Sequence, residues 1–397
     1  MEKLFQKFYE KIARTQIQTV RDFSHEVDWS NRMIGIKGSR GVGKTTLILQ
    51  HLKTNYEINE KILYVSLDDL YFAENKIYDL ASKFYKQGGA VLALDEVHKY
   101  SNWAIELKNM YDDFPELKII FTGSSLLHLM QAKADLSRRA VVYSMYGLSF
   151  REFLTFEKKI IQPSITLDYL LENHVAIAMN IIETIKPLEQ FKNYLQYGYY
   201  PYYKENEDSF QQKLGETLLA VLEVDIPQYA GIQASNVQYL KKLLKIISLS
   251  VPFQPNMNAL SSRTGISLNT MKNYLHFLYE AQVLYALYVQ DNGINSLGKP
   301  EKIYLDNTNL MFNQADENAN IGNLRETFFV NQLKNVYEIK ASKHADFIIE
   351  NKYTFEIGGV SKSKKQIANI ENAFIVKDDI EVGYNNIIPL WLFGFLY

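Results

Sequence analysis

The fold of this chain is decided by the stretch Gly38-Ser-Arg-Gly-Val-Gly-Lys-Thr45. The stretch fits the pattern G-x-x-x-x-G-K-[ST] in full, which is the Walker A motif, or P-loop. Its three glycines carry no side chains, so backbone N–H groups can turn inward around a chain of phosphates. We therefore predict a nucleotide-binding loop made of Gly38, Ser39, Arg40, Gly41, Val42, Gly43, Lys44, Thr45 and Thr46.

Two side chains of this loop carry its charge and its metal-binding chemistry. Lys44 supplies a positive charge to the β and γ phosphates, and the Thr45 hydroxyl can ligate Mg²⁺. Residues 32–36 read as a short buried strand before the loop, and residues 44–53 read as a helix after it. In that setting the positive end of the helix dipole faces the phosphates. The expected ligand is ATP with Mg²⁺, and the motif itself fits ATP and GTP equally.

A second motif ends the apolar run Gly89-Ala-Val-Leu-Ala-Leu-Asp95-Glu96. A continuous apolar run suits a central parallel strand that is covered on both faces. Asp95 is expected to hold Mg²⁺, directly or through water, and Glu96 to orient and deprotonate the attacking water. This is the Walker B pattern, and it predicts hydrolysis of the nucleotide.

Strand-like and helical segments alternate through the first 147 residues. Besides the two strands above, strands are predicted at 61–66, 117–122 and 140–145. Such alternation predicts an α/β fold, a parallel sheet with helices on both faces. An extra strand between the P-loop strand and the Walker B strand indicates the additional-strand, catalytic-glutamate division of P-loop ATPases. Thr122 or Ser124, at the end of the fourth strand, can reach the γ-phosphate or the water, and an ordinary strand-end turn is the alternative.

The residues after 147 do not continue the alternation of strands and helices. Helical patterns dominate residues 148–235, which read as a lid that closes over nucleotide. Residues 236–299 have helix–turn–helix grammar, in which Gly265 makes the turn and Ser267 caps the second helix. That helix exposes polar side chains with little positive charge, so a DNA-binding role and a structural or protein-contact role both stay open. Residues 300–397 return to mixed helix and strand, and the apolar segment 387–397 reads as a core strand.

Composition limits the class of protein. A length of 397 residues is too great for one ordinary domain, and a net charge of −2 provides no general attraction for nucleic acid. The absence of cysteine excludes disulfides, thiolate zinc sites and cysteine nucleophiles. Neither a signal peptide nor a membrane-spanning run is recognised, and we expect a cytoplasmic protein with no membrane partner.

The chain resembles a family of archaeal and bacterial AAA+ ATPases that join an ATPase core to a winged helix and a C-terminal domain with the restriction-endonuclease fold. The matching pieces are Gly35-Ile-Lys-Gly-Ser-Arg-Gly-Val-Gly-Lys-Thr45, Leu94-Asp-Glu-Val-His-Lys99, Phe121-Thr-Gly-Ser-Ser125, Leu136-Ser-Arg-Arg139, Tyr197-Gly-Tyr-Tyr-Pro201 and Phe355-Glu-Ile-Gly-Gly359. The resemblance implies a core at 1–147, a helical lid at 148–235, a winged helix at 236–299 and an endonuclease-like domain at 300–397.

The resemblance also implies further site residues. Oligomeric AAA+ ATPases place an arginine finger where Arg138 and Arg139 stand, which would imply a homo-oligomer, and a surface pair that supports a turn is the alternative. The expected catalytic residues are Glu96, Lys44, Thr122, Ser124 and Arg139, and the expected metal ligands are Thr45 and Asp95.

The endonuclease-like domain departs from its family pattern. That pattern is a glutamate, an aspartate and then Glu-x-Lys, whose carboxylates bind Mg²⁺. Glu326, Asp346 and Glu356 fall in the matching places, but Gly358 stands where the lysine is expected. The candidates to replace it are Lys362, Lys364 and Lys365. A decayed nuclease is the simpler interpretation.

Three functions follow from these features. The first is an ATP-hydrolysing switch or motor whose nucleotide state moves the winged helix and the C-terminal domain. The alternative is an ATP-gated, Mg²⁺-dependent nuclease that acts on DNA or RNA. The third is a scaffold that holds nucleotide without hydrolysing it, and the presence of Glu96 opposes it.

Overall fold

The chain divides into two compact units, Met1–Gly147 and Leu148–Tyr397. The structure is a computed structural model and describes residues 1–123, 136, 138–249, 252–289, 300–315, 320–362 and 367–397. In the first unit the helices are α1 (Glu2–Arg14), α2 (Phe23–Glu26), α3 (Lys44–Asn55), α4 (Ile77–Lys86) and α5 (Trp103–Asp113), and the strands are β1 (Met33–Lys37), β2 (Ile62–Ser66), β3 (Val91–Asp95), β4 (Lys118–Gly123) and β5 (Val141–Ser144).

These five strands form one parallel sheet in the order β2-β3-β4-β1-β5. The predicted α/β class with a parallel sheet is therefore confirmed. Strand β4 lies between the P-loop strand β1 and the Walker B strand β3, as the additional-strand division requires. All residues of β3 are buried, because an inner parallel strand is covered on both faces. The order brings the carboxyl ends of β2, β3 and β4 together beside the glycine loop.

Helix α1 packs on the edge strand β2. Leu4, Phe8 and Ile12 are buried at helical spacing, while the basic residues of α1 are exposed. The Phe8 ring stacks on the Tyr64 ring of β2 with centroids 6.5 Å apart. The N-terminal helix is therefore part of the core of the first unit.

The second unit begins with helices and ends with a sheet. Its helices are α6 (Phe150–Phe156), α7 (Leu167–Ile182), α8 (Pro187–Asn193), α9 (Phe210–Ala220), α10 (Ile226–Ala230), α11 (Val237–Ser248), α12 (Met257–Thr264), α13 (Leu268–Glu280), α14 (Thr308–Ala315) and α15 (Ile321–Leu333). Its strands are β6 (Leu284–Leu287), β7 (Lys302–Leu305), β8 (Ile339–Ala341), β9 (Phe347–Ile349), β10 (Tyr353–Gly358), β11 (Ala373–Lys377) and β12 (Ile387–Pro389).

A helix–turn–helix and an antiparallel strand pair follow one another in this unit. Gly265, with φ of +74°, ends α12, and the Ser267 side chain caps α13 by accepting the N–H of Thr270. Strands β6 and β7 then pair antiparallel, and Phe253 bridges Ile303 of β7. The helix–turn–helix is the one that the sequence predicts within residues 236–299, and its interpretation as a winged helix stays a prediction.

The C-terminal strands form a mixed sheet in the order β12-β11-β10-β9-β8. Strand β11 pairs parallel with both β10 and β12, whereas β8, β9 and β10 form an antiparallel meander. The aromatic ring of Phe329 on α15 packs against Phe347, Phe355 and Phe393. Helix α15 therefore covers one face of this sheet.

The prediction of a core strand over 387–397 is only partly correct. The strand β12 ends at Pro389, and residues Leu390–Phe395 form a 3₁₀ helix whose side chains are all buried. Proline has no N–H to continue the ladder, which is why the strand stops there. The apolar run correctly indicates burial but not strand geometry.

Candidate functional site

The glycine loop owes its shape to left-handed backbone and to close packing. Gly41 and Gly43 have φ of +83° and +99°, a region that side chains disfavour. A Cβ on Gly38 would lie 2.1 Å from the carbonyl oxygen of Met145, so the backbone approach there excludes any side chain. Lys44 is 5% exposed, and its Nζ donates to the carbonyls of Gly38 and Ser39, each at 2.9 Å. The ammonium group therefore lies against the loop backbone.

The other predicted loop residues differ in exposure. Val42 is fully buried under the loop, whereas Thr46 is exposed on α3. Arg40 is half-buried, and its positive charge partly offsets the burial that raises the pKa of Glu96. Their contacts with nucleotide stay predictions.

A buried arginine that no motif signals supports this loop. Arg21 is 6% exposed and donates to the Val42 carbonyl at 3.1 Å. The same guanidinium donates to the carbonyls of Tyr146 and Gly147, at 3.1 Å and 2.9 Å. It therefore ties the loop to the last residues of the first unit. Sequence reasoning missed it because a lone arginine outside a motif carries no positional signal.

The two predicted metal ligands lie in contact. Thr45 Oγ1 donates to Asp95 Oδ2 at 2.7 Å. The Tyr64 hydroxyl donates to the same oxygen at 2.6 Å, and Thr122 Oγ1 donates to Asp95 Oδ1. A carboxylate and a hydroxyl oxygen side by side are hard oxygen ligands of the kind that Mg²⁺ prefers. The donor set therefore fits the expected ion.

Glu96 lies beside this pair in an unusual backbone conformation. Its φ and ψ are 56° and 42°, the left-handed region, and its N–H donates to Thr122 Oγ1 at 3.0 Å. Burial raises the pKa of the Glu96 carboxyl, the Lys44 charge lowers it, and Asp95 raises it again. A carboxylate with a raised pKa is a stronger proton acceptor, as a general base requires. His98, also missed from the sequence, is buried with its Nε2 3.3 Å from Glu96 Oε2.

The structure treats the three remaining catalytic candidates, Thr122, Ser124 and Arg139, differently. Thr122 is fully buried and connects Asp95 to the Glu96 backbone, so it holds both acids. Ser124 lies outside the described residues. Arg139 forms a two-pronged ion pair with Asp112 of α5, with both N–O distances at 2.8 Å. The predicted finger therefore has an acidic partner within its own unit, and its catalytic role stays a prediction.

A second cluster of charges lies in the second unit. Lys302 of β7 has its Nζ 3.0 Å from Glu326 Oε2 and 3.5 Å from Asp346 Oδ1. The Tyr304 hydroxyl also donates to Glu326, at 2.7 Å. The structure thus brings together two of the predicted nuclease acids, but with a lysine from an unexpected strand between them.

The third acid of this cluster is the most buried. Glu356 is 2% exposed, and burial raises the pKa of its carboxyl while Lys362 lowers it. Lys362 Nζ donates to Glu356 Oε1, and Oε2 has no hydrogen-bond partner among the described residues. Lys364 and Lys365 lie outside those residues. In the described part of the chain, no group of three or more histidine or acidic side chains is arranged to hold a metal ion.

Two stretches of the chain match known protein families. Residues 30–154 match the family model described as an AAA domain, and residues 188–320 match one described as a domain of unknown function. Together with the parallel sheet and the glycine loop, the first match defines a P-loop protein with an AAA-type domain. Among the described residues, no helix has the length and apolar character to span a membrane.

The individual proteins to which this chain is similar are 13–27% identical to it over the aligned residues. An uncharacterized protein of Methanocaldococcus jannaschii is 27% identical over 285 residues, 68% of this chain and 60% of that protein. The chain therefore spans about 60% of the length of that curated relative. The Walker-type ATPase of Pyrococcus abyssi has a TM-score of 0.42 and 13% identity over 77% of this chain and 99% of its own. AMPPCP-bound DnaA from Aquifex aeolicus has a TM-score of 0.26 and 16% identity over 70% of this chain and 88% of its own.

The close approach at Gly38 generates a first prediction. Gly38→Ala should weaken nucleotide binding about tenfold or more, since each ~1.4 kcal/mol of distortion is tenfold in affinity. The new methyl group would collide with the Met145 carbonyl and displace the loop. Calorimetric titration with ATP and Mg²⁺ measures the effect. Gly215→Ala is the matched control, because the nearest atom to its new Cβ is 3.4 Å away; equal affinity of the two variants would contradict the prediction.

Thr122 generates a second prediction. Thr122→Val keeps the shape of the side chain but removes the hydroxyl that contacts Asp95 and the Glu96 N–H. We expect slower ATP turnover and a loss of about 1–3 kcal/mol of unfolding free energy, because a buried N–H and a carboxylate lose a partner. Phosphate release and urea unfolding report the two effects. Thr122→Ser should stay close to wild type, and a fully active valine variant would refute the positioning role.

Proposed function

We propose that the protein binds ATP with Mg²⁺ and hydrolyses it at the glycine loop. The observation that carries this proposal is the contact between Thr45 and Asp95, because it joins the two motifs at one point. Lys44 precedes Thr45 and Glu96 follows Asp95 in the chain, so this contact also brings the lysine and the glutamate near each other, which supports a shared role. The match of residues 30–154 to an AAA domain supports the same function.

Each side chain has a chemical task in this proposal. Bound Mg²⁺ would be held by Thr45 and Asp95 and would neutralise charge on the phosphates. Lys44 would turn its ammonium from the loop carbonyls to the β and γ phosphates. Glu96 would accept the proton of the attacking water, and Thr122 would keep the two acids in place. Arg139 would act on nucleotide only after it leaves Asp112, as a partner copy could induce in an oligomer.

We further propose that binding and hydrolysis of the nucleotide change the conformation of the protein. Arg21 contacts the loop and also the last two residues of the first unit. A shift of the loop would therefore be transmitted to the point at which the chain continues into the second unit. The polar face of α13, with Asn269, Lys272 and Asn273 exposed, is the proposed contact for DNA or for a protein client.

The ATPase proposal has a direct test. Lys44→Ala should lose nucleotide binding, because the phosphates lose their cation. Glu96→Gln should still bind ATP but hydrolyse it about 10²–10⁴-fold more slowly, the range that a general base contributes. Phosphate release and calorimetry separate the two effects, and Lys83→Ala, an exposed lysine of α4, is the control. Full turnover in Glu96→Gln would rule out Glu96 as the general base. Phosphate release by the wild type no greater than by Lys44→Ala would rule out hydrolysis and favour a scaffold that only holds nucleotide.

A second candidate function is metal-dependent cleavage of nucleic acid. The convergence of Lys302 with Glu326 and Asp346, next to Glu356 and Lys362, favours it. The lysines oppose it, because their ammonium groups occupy the carboxylates that would bind a metal ion. We therefore propose that this domain keeps the arrangement without the activity.

The nuclease candidate is tested on plasmid, single-stranded DNA and RNA with Mg²⁺ or Mn²⁺. We expect no cleavage above background, with or without ATP, because the acids are neutralised by Lys302 and Lys362. Asp346→Ala is the control for contaminating nucleases. Metal-dependent cleavage that disappears in Asp346→Ala would establish the nuclease and overturn our proposal.

A further inference from the structure

A tyrosine outside both motifs reaches the magnesium site. Tyr64 lies on β2, in register with Ala93 of β3, two residues before Asp95. Its side chain is almost fully buried, and its hydroxyl donates to Asp95 Oδ2 at 2.6 Å. A tyrosine hydroxyl needs a partner when it is buried, and here the partner is the predicted metal ligand.

The N-terminal helix holds the ring of this tyrosine in place. Phe8 of α1 stacks on the ring, and Lys11 Nζ lies 4.9 Å from its centroid and 3.4 Å from its hydroxyl. On the other side, the ladder between β2 and β3 sets the distance from Tyr64 to Asp95. The hydroxyl therefore has little freedom to move away from the carboxylate.

We propose that Tyr64 is a positioning residue of the magnesium site and acts through Asp95. An aspartate side chain can rotate about two bonds, and a carboxylate that must present one oxygen to a metal ion needs outer partners to fix it. Thr45 cannot do this alone, because it is itself expected to turn an oxygen to Mg²⁺. The Tyr64 hydroxyl donates its hydrogen bond to the predicted metal ligand, so we expect its removal to change Mg²⁺ binding first. The inference rests on the proposed ATPase function.

The test is Tyr64→Phe in the full chain. Phenylalanine keeps the ring contacts with Phe8 and Lys11 and removes only the hydroxyl, so the variant should fold, with a lower melting temperature because the buried Asp95 carboxylate loses one donor. Binding of AMPPCP is measured by calorimetry in EDTA and across a Mg²⁺ titration. We expect unchanged binding in EDTA and a Mg²⁺ half-saturation raised about 10- to 100-fold, the range for loss of an outer-sphere partner. Tyr78→Phe removes a comparable exposed hydroxyl bond to Asp113 and should change neither value.

A double variant distinguishes positioning from a general packing role. If Tyr64 acts through Asp95, Tyr64→Phe should add nothing to the Mg²⁺ defect of Asp95→Asn. Additive defects, or an unchanged or lower Mg²⁺ half-saturation in Tyr64→Phe, would overturn the inference. Failure of the wild-type protein to bind AMPPCP at all would instead overturn the proposed ATPase function, so the two failures are distinguishable.

Discussion

The carboxylate of Asp95 is the point on which the site depends. It accepts hydrogen bonds from hydroxyl groups on three separate segments, namely Tyr64 of β2, Thr45 of α3 and Thr122 of β4. These bonds form together only if β3 lies between β2 and β4 and if the glycine loop ends beside them. A buried carboxylate without such partners would cost several kcal/mol, so the sheet order and the site stabilise each other.

The parts of this arrangement that depend on local sequence were predictable. The glycine spacing, the lysine and the apolar run before Asp95 each act within a few residues, and they correctly indicate a strand, a loop, a helix and a central parallel strand. Tyr64 and Arg21 were not predictable in the same way. Their roles arise from strand register and from contacts between distant segments, which a single sequence does not encode as a pattern.

In the second unit, too, features set by neighbouring residues were predictable, whereas contacts between distant segments were not. Glu326 lies on α15, Asp346 directly before β9 and Glu356 on β10, but the lysine that joins the first two comes from β7. The family pattern expects the lysine two residues after the last glutamate, so it does not identify Lys302, which precedes all three acids in the chain. The prediction of a strand over 387–397 was partly wrong for a related reason. Hydrophobicity indicates burial, whereas the proline decides where the strand ends.

The position of Arg21 and α1 has a consequence for how the first unit can be divided experimentally. The AAA-domain match begins at residue 30, whereas Arg21 and the Phe8 side chain precede it. A fragment trimmed to that homology boundary would lose the guanidinium beneath the loop and would expose the apolar flank of β2 to solvent. The unit that folds is therefore longer at its amino end than the unit that sequence comparison recognises, and expression fragments are best started at the first helix.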